Sequence, residues 1–318
     1  SKKKIVVGTF IGILAGLSPD LVVLIKSSED PLLSLEYHRQ FTHSLIFIPF
    51  GALLVTLFSH LFVRKKLTFF ENYIFAIIGY STHALLDACT SYGTQLFWPF
   101  SNYRFAWNNI SIIDPLLTLP ILTIMIFTII FKKKILNVFG IVWIFTYLGF
   151  GLYQNSVALN QAKKLAKYRN HDFEKISVKP SFGNIFLWKT VYLFDKKFYV
   201  DAVNLIGKPK FCFGNTIEKL NIKTHLPKLD VKDKQYLDIK RFEWFSENYT
   251  GYDFKKEMII DVRYSAIPNE VEGLWGIKIV KKKPYNGHVK WVVNRENFFE
   301  RLPLLKSMIF GNTCNKKI

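Results

Sequence analysis

Six ionisable side chains stand inside or against long apolar stretches of this sequence: Asp20, His38, His43, His83, Asp87 and Asp114. An ionisable group at the centre of a membrane-length stretch costs about 2.5–3.5 kcal/mol on insertion scales, so it normally faces a cavity or a partner. His83 and Asp87 are four residues apart, which on a helix puts them on one face, one turn apart. A neutral imidazole and a carboxylate so placed can grip one divalent ion, as the two histidines of HExxH do. The same pair could instead form a His–Asp hydrogen bond that closes a helix contact.

His38 and His43 are five apart, roughly 140° around a helix, so a regular helix cannot aim both the same way. Either the helix breaks near Gln40, or one histidine is a ligand and the other supports it. Arg39 between them could hold an anionic substrate group, and Thr42 or Ser44 could cap the following helix. Asp20 follows Pro19, a step that reads as a helix break lining a cavity; a lone aspartate there could also relay protons. Asp114-Pro115 is most simply a helix start with an aspartate cap, although a carboxylate there could orient a ligand imidazole. His60 reads as structural, and His171, His225 and His288 as surface residues.

Taken together, Asp20, His38, His43, His83 and Asp87 form a nitrogen and oxygen donor set suited to zinc first, and to manganese or iron next. Such an ion lowers the pKa of bound water and polarises a phosphoryl or acyl oxygen. The expectation is hydrolysis at a membrane–water boundary, with Asp20, Arg39 and Asp114 in catalytic roles and Arg39 or Arg104 neutralising a phosphate.

The elements that must position these residues follow from composition. The chain has 318 residues, and its two halves differ: residues 1–159 hold 12 Lys/Arg and 7 Asp/Glu, residues 160–318 hold 31 and 17. The first half is too apolar for a soluble domain, while the second has the charge density of a water-exposed one. A single soluble globule is excluded, and so is a membrane protein throughout. Five stretches reach the roughly 20 residues a bilayer requires: 5–25, 44–63, 69–90, 112–131 and 135–154. The expectation is a transmembrane helical domain of about five spans over 1–154. Lys2 to Lys4, Arg64 to Lys66 and Lys132 to Lys134 all fall on one side, against Lys26, Arg39 and Arg104 on the other. Basic residues mark the cytoplasmic side, which would put residues 155–318 outside the cytoplasm and the six ionisable groups near the outer ends of their spans.

Residues 155–170 read as a helical exit. Alternation of apolar and polar residues over Trp188–Leu205, Met258–Ile267, Leu274–Val280 and Val289–Val293 reads as strands separated by Pro and Gly. Residues 155–318 are therefore expected to form a small β-rich α+β domain. Cys212 and Cys314 could pair in an oxidising compartment. The net charge of +19 is Lys-heavy and spread without a nucleic-acid motif, so no nucleic-acid partner is expected, and membrane lipids are the expected surroundings.

The stretches SPD (18–20), YHRQFTHSL (37–45), THALLDACTSYGTQLFWPFS (82–101) and RFAWNNISIIDPLLTLPIL (104–122) resemble the YdjM-like family of membrane-bound metal-dependent hydrolases. The polar half, with FGNIFLWK (182–189), resembles the longer members of that family, so the likeness covers nearly the whole chain. It implies an inner-membrane protein with an α-helical hydrolase core, distantly similar to zinc-dependent phospholipase C and P1-type nuclease. On matching positions it implies Asp20, His38, His43, His83 and Asp87 as ligands, with Thr90, Gly93 and the Trp-Pro-Phe turn at 98–100 shaping the site. Family members carry a Thr-His or Thr-Gln pair ahead of the first span; a truncated N-terminus would explain its absence here. The second His-x3-Glu/Asp pair of the phospholipases is also missing, which implies one or two ions rather than three.

The combined expectation is a metal-dependent hydrolase in a bacterial-type inner membrane, acting on a phosphoester or lipid-like substrate. Two rivals stand beside it. One is a non-enzymatic transporter or envelope scaffold that uses the His/Asp cluster structurally. The other is a lysine-rich polar domain that binds anionic polymer, anchored by the apolar helices.

Overall fold

A computed structural model describes residues 2–281, 287–295 and 298–314, without the side chains of Lys2 and Lys3. The chain divides into two compact units, Ser1–Trp107 and Asn108–Ile318.

The first unit is helical. Helix α1 (Lys2–Leu17) runs into a 3-10 segment (Ser18–Leu24) where Pro19 enters the first turn. A short α2 (Leu33–Tyr37) and a 3-10 turn (Phe41–His43) lead to α3 (Ile48–Val63) and α4 (Phe69–Cys89). Thr68 and Glu71 close a capping box at the start of α4, each satisfying an otherwise orphaned backbone N–H. Glu71 also accepts an ion pair from Lys4 at 2.6 Å.

Small residues let α1 and α4 approach closely. A Cβ at Gly79 would stand 2.2 Å from the Gly12 carbonyl oxygen, and one at Gly8 would enter the Phe75 ring. Gly8, Gly12 and Gly16 recur every four residues, the spacing that presents one smooth helix face to a neighbour. On α4 the buried residues Asn72, Ala76, Tyr80, Ala84 and Ala88 keep the same spacing. Across α3 and α4, Asn72 donates to Ser59 Oγ at 3.0 Å. Large apolar side chains such as Phe10, Phe50, Phe58 and Phe62 point outward, as expected for helices that meet lipid rather than water.

The second unit opens with α5 (Pro115–Phe131) and the 35-residue α6 (Lys134–Tyr168). The segment before α5 lies close along α6: Asn109 donates to the Leu148 carbonyl and Asn155 to that of Asn108. An antiparallel sheet follows: β1 (Lys175–Pro180), β2 (Leu187–Phe194), β3 (Lys197–Asn204) and β4 (Lys210–Cys212), with β5 (Thr216–Glu218) also paired to β3. Asp195 and Lys196 both take positive φ between β2 and β3, as a tight two-residue hairpin turn requires. After α7 (Ile222–His225) and α8 (Lys234–Phe245) comes a second antiparallel sheet: β6 (Thr250–Asp253), β7 (Met258–Asp261), β8 (Trp275–Lys278) and β9 (Lys290–Val293). Val191, Phe198 and Val200 of the first sheet share a core with Met258 and Ile260 of the second. Helix α9 (Leu302–Ile309) precedes Cys314, which is disulfide-bonded to Cys212 at the end of β4.

The five expected spans are not found. Among the described residues two helices are long and apolar enough to cross a membrane, Lys4–Leu24 and Lys134–Tyr168; counting a bent pair raises this to three. The reasons are local. The stretch 44–63 belongs to a pair, Leu33–His43 and Ile48–Val63, bent by 87°. Helix α4 is long enough but carries Glu71, Asn72, His83 and Asp87 along its length. The stretch 112–131 yields a helix only from Pro115, 17 residues long, because Asp114 caps it there. The expected spans at 5–25 and 135–154 correspond to the two that qualify, the second continuing without a break through the expected exit helix. The β-rich part follows, as expected, and the alternation missed β1, β4, β5, β6 and α8.

Candidate metal centre

Four of the six side chains converge within the first unit. Asp20 comes from the 3-10 segment after α1, His43 from the 3-10 turn before α3, and His83 and Asp87 from the last turns of α4. One ligand atom from each lies within 4.8 Å of all the others. The His43 and His83 Nε2 atoms are 3.1 Å apart. His43 Nε2 is 3.5 Å from Asp20 Oδ1 and 3.2 Å from Asp87 Oδ2. His83 Nε2 is 3.5 Å from each of the same two oxygens.

These separations allow a test of fit. A tetrahedral ion with bonds of about 2.1 Å holds its ligand atoms about 3.4 Å apart. Five of the six pairs fall between 3.1 and 3.5 Å. Two carboxylates and two imidazoles are also a donor set that favours a divalent cation, so these residues fit one.

Local structure explains the convergence. The chain leaves helix at His38, whose φ and ψ are −63° and 121°; Arg39 takes the left-handed φ of 62°. That break turns His43 inward, where its side chain is fully buried. Backbone hydrogen bonds hold the turn: Gln95 N donates to Arg39 O, and Leu45 N to Leu96 O. Gly93, with φ +92° and Arg104 packed against it, lets the chain double back. Thr42 Oγ1 lies 2.9 Å from His43 Nδ1, the nitrogen facing away from the cluster, and so orients the ring. Tyr80 Oη in turn donates to the Thr42 carbonyl.

Arg39 lies 2.8 Å from Asp87 Oδ2 through Nε, and its Nη1 donates to Thr90 Oγ1 at 2.7 Å. It therefore supports a cluster carboxylate as well as lying beside the site. Burial differs sharply across the four: His43 is enclosed, His83 and Asp87 are nearly so, and the Asp20 side chain is 49% exposed. Access from outside is on the Asp20 side.

The remaining expected residues stand elsewhere. His38 is not among the four; its ring meets Tyr92 edge-on at 5.2 Å and lies 6.2 Å from the His43 ring. Asp114 belongs to the second unit, where it caps α5 through Leu116 N and Leu117 N and accepts from Tyr147 Oη at 2.8 Å. Arg104 Nη2 donates to the Gly93 carbonyl. Two supporting roles were not read from the sequence. Thr42 appeared only as a cap, and Tyr92, with Arg39 and Arg104 about its ring at 5.0 and 5.3 Å, carried no spacing signal at all.

Comparison with known proteins agrees with the motif resemblance. Residues 1–158 match the model of the family described as YdjM inner membrane protein. Over 308 residues the chain is 23% identical to an uncharacterized protein of Bacillus subtilis (strain 168), YfhP, covering 92% of this chain and 89% of the relative. No solved structure matches.

Proposed function

We propose, from the YdjM inner membrane family match of residues 1–158 and the four converging side chains, that this protein is a membrane-bound, metal-dependent hydrolase of phosphoester or lipid-like substrates. The observation that carries this reading is the near-tetrahedral spacing of Asp20, His43, His83 and Asp87.

These four residues would hold one divalent ion, zinc first. Such an ion supplies Lewis acidity toward a phosphoryl or acyl oxygen and activates water near neutral pH. The chain's own residues do the rest. Thr42 fixes the His43 ring so that Nε2 faces the cluster. Arg39 holds the Asp87 carboxylate in place and adds positive charge beside the site. The half-exposed Asp20 leaves the approach on its side open to substrate, whereas the buried His43 closes the opposite side to water.

We place residues 169–318 outside the cytoplasm. Helix α6 starts at the Lys132 to Lys134 cluster, which marks the cytoplasmic side, and a crossing by that helix puts the chain beyond Tyr168 on the other side. The Cys212–Cys314 disulfide supports an oxidising surrounding.

The test is turnover by the purified, zinc-loaded protein of bis(p-nitrophenyl) phosphate and of phospholipid vesicles, with Asp20→Asn and His83→Ala as controls. Hydrolysis lost in both variants supports the reading. A folded, metal-replete protein that hydrolyses neither substrate contradicts it. A second reading keeps the cluster as a structural network in a non-enzymatic membrane protein. It is favoured by the 3.1 Å His43–His83 contact, which two neutral imidazoles can make as a direct hydrogen bond, and by the four-ligand count typical of structural ions.

A further inference from the structure

The β-rich part of the second unit carries two adjoining cavities. One, of about 820 Å³, runs between the β2–β3 turn, the end of β5, α7 and α8. The other, of about 670 Å³, lies between α7, the β6–β7 turn and the end of β8. His225, Leu226, Pro227 and Leu229 line both, so they are two stretches of one groove.

The charge along this groove is strongly uneven. Two of its carboxylates are neutralised by lysines, Glu243 by Lys240 and Glu257 by Lys281, while Glu218 lies 3.3 Å from the His225 ring and Asp195 stands at the β2–β3 turn. Lys196, Lys197, Lys219, Lys223, Lys228 and Lys278 also line it, and none of them has an ion-pair partner among the described residues. The β2–β3 turn presents the first two, so their position is fixed by the hairpin rather than by a loose loop. Aromatic faces sit among the lysines. The His225 ring stacks on Tyr252 at 4.9 Å, and Phe254 meets both edge-on.

We propose that this groove binds a flexible polyanionic chain bearing phosphate groups. The shape selects the ligand class. Lysines on both banks of a trough reach a thin chain lying in it, whereas the flat face of a bilayer cannot enter. Unpaired ammonium groups bind phosphate as point charges, and Tyr252, backed by the His225 ring, offers ring surface to the units between the phosphates.

The experiment uses the full chain in detergent and fluorescently labelled inorganic polyphosphate. Lys196→Glu/Lys223→Glu/Lys228→Glu is compared with a charge-matched control on α6, Lys163→Glu/Lys164→Glu/Lys167→Glu. Thermal unfolding checks that both remain folded. Expected are binding that weakens steeply with salt, a loss of about tenfold or more in the groove variant, and little change in the control. Equal losses in the two variants would reduce the binding to overall charge and overturn the proposal. So would binding to anionic phosphatidylglycerol vesicles without binding to polyphosphate, which would make the face a membrane contact.

Discussion

His43 and His83 lie 40 residues apart in sequence, yet their Nε2 atoms meet at 3.1 Å. One is set by a broken helix and the other by the regular last turns of α4. The meeting point is shared with Asp20 and Asp87, and the arrangement is held by two features outside the four. The first is the Arg39 contact to Asp87; the second is the close packing of α1 on α4 that delivers Asp20.

Packing of α1 on α4 is tested by two alanine substitutions that differ only in what the new methyl meets. At Gly79 it would stand 2.2 Å from backbone, whereas at Gly12 its nearest neighbour is 3.8 Å away. Gly79→Ala should destabilise by roughly 1–3 kcal/mol, and Gly12→Ala should be near neutral. Thermal unfolding in detergent reads both. Equal effects would show that the two helices do not approach as described.

Arg39 and Asp87 are both largely buried, at 8% and 15% side-chain exposure. Breaking a buried pair from one side costs about 3–5 kcal/mol. Arg39→Ala should therefore lower stability by that order, and Arg39→Lys should recover only part, since lysine cannot span Asp87 and Thr90 with a planar fork. Full stability in Arg39→Ala would remove Arg39 from the supporting shell.

Lys189 gives a pH prediction in the β-rich part. It is enclosed in β2, and its Nζ donates to Ser265 Oγ and to the Pro268 and Glu270 carbonyls. Burial pulls its pKa from 10.5 to about 7. Between those values the unfolded chain holds a proton that the folded one has released, so stability rises with pH across that window and is flat below it. Chemical unfolding followed by tryptophan fluorescence should show this rise in the native protein and lose it in Lys189→Met. An identical slope in both would contradict it.

The Cys212–Cys314 bond spans 102 residues, and in the chain-entropy account a loop of that size stabilises by roughly 4.7 kcal/mol. Cys314→Ser should lower unfolding stability by an amount of that order. Without reductant, the denatured native protein should show a single thiol, Cys89; three would mean the bond is absent.

The sequence made some of this legible, for identifiable reasons. Asp20, His83 and Asp87 stood out because charge inside an apolar stretch is costly. The i, i+4 spacing of His83 and Asp87 survives intact on α4. His38 and His43 could not be separated, because the break at Arg39 depends on a left-handed backbone that spacing does not encode. The Gly8, Gly12 and Gly16 repeat was present but unread, and it marks the α1 face that packs on α4. The span count failed because apolar length was counted without asking where helices start: Asp114 begins one late, and the bend between His43 and Ile48 splits another. Strands β2 and β3 were visible from alternation; the three-residue strands β4 and β5 were too short to alternate.

The central claim is that Asp20, His43, His83 and Asp87 hold a metal ion. The most direct measurement is elemental mass spectrometry on detergent-purified protein beside the His83→Ala/Asp87→Ala double variant, with fold checked by thermal unfolding. The account predicts about one equivalent of zinc, manganese or iron per chain in the native protein and loss of it in the folded double variant. No metal in the native protein, even after incubation with zinc or manganese, would contradict it and leave the cluster as a hydrogen-bonded network.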